Sequence, residues 1–461
     1  MSDTDMPVSF STYMGNMGRT RAGATGEATN ATLQTNGFGA FSLYTSNALW
    51  SAYARNTPFN FMWNQPVNWD ETLTGLVTKW TYDPVKYWPN DNQPADDQNP
   101  PAQGSQTHSY LQFFAYAPFV RATDLPATGR SNATADGIVE LSANTVDADK
   151  AIIYYRTSRT KPFSLDESVD LLWATKQNCY KYDPTNDTYD DGRVTDRVQL
   201  NFKHAQTLVE VKVKALVDRT KDHTSPAYSD QVDDNTRIFL SSVNITTPDY
   251  YPEGILMIAP DATIPTWDYT GLDALKKSAL RFGSDVDPDL TAVNNTKDID
   301  NIKAALRYEA PNIPTNRDWD GEDAETGLTD LETAQADFAA MSAGVTATEE
   351  NLANSYDMFL IPPTDNTRAL AVHAVYHVLT LDPQLTLNTT KYYSDVTNDI
   401  TVTLNNDDFH FEPSKQYKLL LYLGLTSVKF EVYVLDESGE YILLSAVVKN
   451  WDTDTREVNV E

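Results

Sequence analysis

The chain has 461 residues and carries 35 Lys and Arg against 65 Asp and Glu, a formal net charge of −30. That field repels phosphate backbones and anionic lipid surfaces, which excludes a nucleic-acid partner and a basic membrane-docking face. The length calls for two or three domains, 41% hydrophobic residues suffice for packed cores, and the single Cys179 rules out an internal disulfide framework.

In chain order, the first alternating run is Phe38 to Tyr44, bounded by Asn36-Gly37. Tyr110-Leu-Gln-Phe-Phe-Ala-Tyr-Ala is aromatic-rich and ends at Pro118. Ala151-Ile-Ile-Tyr-Tyr, the Thr236 to Ile245 run and Asp399-Ile-Thr-Val-Thr-Leu repeat the pattern. Short β-branched and aromatic segments between Pro, Gly, Asn and Asp are strand signatures, so the chain reads as mainly β. No ~20-residue apolar stretch is present for a membrane helix, and the first residues show no signal-peptide pattern.

In Val198 to His204 the apolar residues are Val198, Leu200 and Phe202; beyond Gln206 they are Val209, Val211 and Val213. This one-residue phase change predicts a bulge between His204 and Leu208 if one face stays buried. Thr329-Asp-Leu-Glu332 is a capping-box pattern, and with Leu272 to Leu275 and Ile299 to Ile302 it predicts a small helical insertion over about 270–345. Polar stretches at Asp183–Arg193 and Thr220–Asp234 place a boundary near residue 198, or alternatively near 225. The resulting division is 1–198 and 199–461, two β halves.

Residues that suggest chemistry mostly have a plainer reading. His373 and His377 have zinc-helix spacing, but the sequence around them reads as a strand, which separates them by about 13 Å. His204, in phase with Phe202, reads as a hydrogen-bonded core histidine. The Asp285–Asp289 run has Leu290 and Thr296 where a calcium loop needs Gly and Glu, and the Asp187–Asp196 cluster lacks that register too. No nucleophile elbow, P-loop or dinucleotide fingerprint occurs, so no enzyme, cofactor or metal site is expected. Trp80, Tyr82, Tyr87 and Trp88 read as core or cross-strand aromatics before sugar-stacking ones. Cys179, next to a polar stretch, is expected to be partly exposed.

Several runs carry a resemblance across nearly the whole chain. Phe61-Met-Trp-Asn-Gln-Pro-Val, Lys79-Trp-Thr-Tyr-Asp-Pro-Val-Lys-Tyr-Trp-Pro-Asn90 and Phe113-Phe-Ala-Tyr-Ala-Pro-Phe119 come first. Val169-Asp-Leu-Leu-Trp-Ala174, Leu200-Asn-Phe-Lys-His-Ala205, Tyr422-Leu-Gly-Leu-Thr-Ser-Val-Lys-Phe430 and Val448-Lys-Asn-Trp451 follow. This succession resembles the Bacteroidales fimbrillin-like family, the type V pilus subunits and related surface lipoproteins. The resemblance implies two tandem transthyretin-like β-sandwich domains, a lipid anchor on the native precursor and display at the outer membrane surface.

It also implies partners, other fimbrial subunits that polymerise by donor-strand exchange after an Arg-specific cut. Arg19, Arg21 and Ala22 match that cut, making 1–21 a removable segment with Val8, Ser9 and Phe10 as the leaving strand. The run Tyr441, Ile442, Leu443, Leu444, Ser445, Ala446, Val447 and Val448 is the candidate donor, and equally the ordinary last strand of its sandwich. The competing expectation is a monomeric surface lipoprotein that binds host or bacterial glycan or protein through exposed aromatics.

Overall fold

The computed structural model describes residues 6–14, 28–53, 59–74, 78–89, 108–127, 129–131, 135–142, 151–158, 168–181, 192–215, 236–246, 250–272, 280–283, 293–294, 349–351, 358–362, 370–381, 393–404, 411–424, 427–436, 440–450 and 455–457. It is a mainly β protein, with four sheets among the described residues. Among the described residues the one α-helix is Asn30–Asn36, closed at its start by a Thr29–Thr32 capping box.

The largest sheet has eight strands, in the order Phe10–Met14, Val198–His204, Leu172–Lys181, Leu111–Ala117, Phe38–Tyr44, Met62–Trp69 and Trp80–Thr81, with Arg193–Val194 beside Leu172–Lys181. Its middle strands bury both faces, so Leu111–Ala117 has no exposed residue. Phe38, Phe113 and Leu172 face one core, while Phe41, Phe114 and Trp173 face a second. The second core is shared with a four-stranded sheet, Thr266–Asp268, Glu253–Ile258, Ala151–Arg156 and Gly137–Ser142.

On its other face the large sheet curls over onto itself. The strand holding Phe10 lies four places from the strand holding Phe38. In a flat sheet four steps span about 19 Å, yet the two rings are 5.8 Å apart.

The remaining two sheets sandwich a third core. One is Glu350–Asn351, Thr207–Ala215, Gln416–Leu423, Ser427–Leu435, Tyr441–Asn450 and Thr455–Glu457, with Met358–Leu360 beside Thr207–Ala215. The other is Val293–Asn294, Leu280–Gly283, Thr236–Thr246, Ala371–Leu381 and Tyr393–Thr403. Val211, Val243, Tyr376, Leu419 and Phe430 meet between them.

The phase change after His204 is a change of sheet rather than the expected bulge. Val198–His204 pairs with Phe10–Met14 and Leu172–Lys181. Thr207–Ala215 pairs with Gln416–Leu423 and Met358–Leu360 instead. Switching sheets changes which side is core, so the apolar phase shifts with no extra residue opposite a partner strand.

The two residues between are held on all sides. Ala205 N–H donates to Leu171 O at 2.7 Å, and Trp267 Nε1 donates to Ala205 O at 2.9 Å. Gln206 accepts from Leu171 N–H and donates to Val169 O, each at 3.0 Å. Strand Val198–His204 thus completes the sheet of the earlier residues, and Glu253–Ile258 returns to pair with Ala151–Arg156. Of the expected helical insertion, the three helix starts lie outside the described residues apart from Leu272, which is buried. Within that interval Leu280–Gly283 and Val293–Asn294 are strands.

Candidate assembly surfaces

The N-terminal segment closes the curled sheet along a seam. Val8, Phe10 and Met14 are buried and Tyr13 is exposed, as alternation along one strand requires. On one edge, Phe10–Met14 runs parallel to Val198–Phe202 in continuous register, and Val198 N–H donates to Ser9 O at 2.7 Å.

The other edge is held by residues 78–88. Val8 N–H donates to Lys86 O at 2.8 Å and Trp88 N–H to Met6 O at 3.0 Å. Tyr82 hydroxyl donates to Val8 O and Thr78 hydroxyl to Phe10 O, both at 2.6 Å. Trp80 Nε1 donates to Thr12 Oγ1 at 3.1 Å. Burial pushes the Tyr82 hydroxyl pKa up to about 12, so it stays a donor across the physiological range.

The groove beneath is aromatic. The Phe10 ring meets Phe38 and Phe113 edge-on at 5.8 and 5.7 Å, and Tyr82 at 5.7 Å. Burying each of Val8, Phe10 and Met14 is worth about 1.5–3 kcal/mol, with ~0.5–1.5 kcal/mol for each well-placed ring pair. Taking the segment out would expose those rings and leave backbone donors and acceptors on both walls without partners.

At the other end of the chain, Tyr441–Asn450 is a paired strand. It runs antiparallel to Ser427–Leu435, with a bulge at Leu444, and carries Thr455–Glu457 on its far side over three residues. Ile442 and Leu444 are 50% and 43% exposed, while Ala446 is buried. Tyr441 hydroxyl accepts from Gln416 Nε2 at 2.9 Å.

No family profile matches the sequence. A curated relative, fimbrium subunit Fim1C of Phocaeicola vulgatus, is 28% identical over 199 residues, 42% of this chain and 42% of that protein. Over that stretch the chain is similar to a Bacteroidales fimbrium subunit. The matched stretch spans under half of that relative's length. Among solved structures, a fimbrial protein from Bacteroides vulgatus is 16% identical with a TM-score of 0.44, covering 96% of this chain and 99% of the other. The fimbrial anchor protein Mfa2 from Porphyromonas gingivalis is 7% identical with a TM-score of 0.29, covering 95% and 99%.

The structure places the sequence-derived residues unevenly. Arg19, Arg21 and Ala22 lie outside the described residues, as do Asp285–Asp289. Val8 and Ser9 precede the regular strand, which extends from Phe10 to Met14, four residues beyond the expected end. His204 is buried, with Nδ1 2.6 Å from Asp170 Oδ2, which also accepts from Ala28 N–H at 2.7 Å. Ser414 donates its hydroxyl to the main-chain carbonyl of His204, not to the ring. His373 and His377 share one strand, and His373 Nε2 sits 2.6 Å from Asp399. Trp80 and Trp88 are core residues, whereas Tyr87 is 52% exposed.

Cys179 is a correction. It is fully buried beside Leu111 and Val194, because its strand turns that side chain into the first core before the polar stretch begins. Sequence reasoning also missed Thr78 and Trp80 as the wall of the N-terminal groove, and Thr12 as the side chain of the segment that meets it. The Val8-x-Phe10-x-Thr12-x-Met14 alternation was the available signal for the full strand. The contacts that hold it on this wall come from 68 to 82 residues away, and no local pattern reports them.

Proposed function

We propose that the chain is a non-enzymatic fimbrial subunit, or a pilus-associated adhesin, that joins its neighbours by donor-strand exchange at the bacterial outer surface. In this reading it consists of two transthyretin-like sandwich units that meet near residues 198–207. The native precursor carries a lipid anchor, and the partners are other fimbrial subunits. Cleavage at Arg19 or Arg21 frees the strand that ends at Met14, and a neighbour's strand, with Tyr441–Val448 as the candidate, takes its place.

The observation that carries this reading is the seam: one short terminal strand is bonded along both edges and fills an aromatic groove. An edge strand with alternate side chains in pockets is the physical form of β-strand addition, in which main-chain bonds give affinity and pockets give specificity. Light trypsin treatment tests it. The expected result is an early cut at Arg19 or Arg21, followed by higher-mass species on size exclusion. Cleaved protein that loses its N-terminal peptide yet stays monomeric with an unchanged melting temperature is the outcome that rejects it.

The alternative, a monomeric surface lipoprotein that binds glycan or host protein, is supported by Trp63 and Tyr87, which are 43% and 52% exposed. Those rings offer stacking faces to sugars. Retained glycan-array binding in a chain that does not assemble is the result that favours this reading.

A further inference from the structure

We propose that the Trp80 indole N–H acts as a register key. It admits only a strand with a small hydroxyl residue at the third inward position, and a second copy of this chain supplies one through Tyr441, Leu443, Ser445 and Val447. The inference rests on the strand-exchange reading above and adds the rule that sets which strand fits, and in which frame.

The key is rigid. Trp80 is 4% exposed, its ring held by Phe38 at 5.1 Å and Trp69 at 5.2 Å. Its main-chain N–H donates to Thr78 Oγ1 at 3.0 Å, and that same hydroxyl donates to Phe10 O. The indole N–H is therefore fixed in space over the third inward side chain of the segment, Thr12, whose hydroxyl accepts it at 3.1 Å. A slip of one residue turns the wrong face inward. A slip of two brings Phe10 or Met14 under the N–H, and neither side chain offers the oxygen acceptor this buried donor needs.

The inward set is apolar, apolar, hydroxyl, apolar: Val8, Phe10, Thr12, Met14. Tyr441, Leu443, Ser445 and Val447 repeat it, placing Ser445 under Trp80. The other alternate set of that sequence, Ile442, Leu444, Ala446 and Val448, has no hydroxyl and is excluded by the same rule. Phe38, Ala40, Ser42 and Tyr44 also fit the pattern, but that strand is paired along most of both edges within its own sheet, whereas the second edge of Tyr441–Asn450 is paired over Val447–Lys449 alone among the described residues. The incoming strand runs parallel to Val198–His204, as Phe10–Met14 does.

Two measurements test this. Trypsin-cleaved protein freed of its N-terminal fragment is titrated with fluorescent peptides spanning residues 7–15 and 440–449. Thr12→Ser in the first peptide is expected to bind about as well as the parent. Thr12→Val, and Ser445→Val in the second, are expected to bind roughly 5- to 100-fold more weakly, the effect of leaving one buried donor unsatisfied. On Trp80→Phe protein the hydroxyl preference is expected to vanish. In case that variant does not fold, the intact chain gives a second readout: Thr12→Ser keeps the parental melting temperature and Thr12→Val lowers it. Peptides that bind with no preference between Thr12 and Val, together with equal melting temperatures, overturn the key and leave strand exchange standing. Failure of every peptide to bind overturns both.

Discussion

His204 Nδ1 faces Asp170 Oδ2 at 2.6 Å, and the same oxygen accepts the main-chain N–H of Ala28 at 2.7 Å. A carboxylate only accepts, so the imidazole presents its Nδ1–H to it. This pair ties the end of Val198–His204 to the chain just beyond the Arg19–Arg21 stretch. A cut at Arg21 therefore leaves the mature end pinned six residues further on. Removing one partner of such a buried pair strands the other. Asp170→Ala is expected to lower unfolding stability by about 3–5 kcal/mol, read as a lower urea midpoint at unchanged slope.

Cys179 gives a chemical check on the first core. Burial pushes its thiol pKa up to about 12, with only partial relief from Lys176. The thiolate is the reactive form, so iodoacetamide at about pH 8 is expected to leave the native protein unlabelled and to label it fully in denaturant. Cys179→Ser puts a hydroxyl in an apolar site and is expected to cost about 1–3 kcal/mol. Rapid native labelling counts against a buried Cys179.

Alkaline pH acts on the seam. Tyr82 has its folded pKa raised from 10.0 to about 12, chiefly by burial, against the opposing bond with Lys86. Above pH 10.0 the unfolded chain loses this proton before the folded one does. Its contribution is thus complete below pH 10.0 and is lost between there and about 12. Melting temperature is expected to fall across that window, and less steeply in Tyr82→Phe. Equal slopes for the two proteins would remove Tyr82 as a cause.

Gly39 tests the tight packing of the large sheet. A Cβ there would lie 2.3 Å from the Tyr116 ring and 2.8 Å from Asn64 Oδ1. Tyr116 itself is fixed by its hydroxyl bond to Asn64 at 2.7 Å, so neither neighbour can move freely. Gly39→Ala is expected to destabilise by about 1–3 kcal/mol through overpacking, measured by thermal unfolding. A neutral result would show that this sheet yields more readily than its contacts suggest.

The sequence by itself determined the class of the fold and most strand positions. Runs such as Phe38–Tyr44 and Ala371–Leu381 carry their conformation in β-branched and aromatic content and in the turn residues that bound them. The core reading of His204 was legible because it falls in phase with Phe202, and that of Trp80 and Trp88 because aromatics in strand-like runs normally pack inward. Only the tertiary structure decided that the phase change after His204 is a crossing between sheets, and that Cys179 faces the core. It also decided that Phe10 reaches Phe38 by curling a sheet through four strand positions. The physical reason is that side-chain alternation records which face of a strand is buried and says nothing about what buries it. Partners are chosen by pairings and curvature that span tens to hundreds of residues. The 68 residues separating Thr12 from Trp80 put the bond that defines the groove beyond the reach of any local pattern.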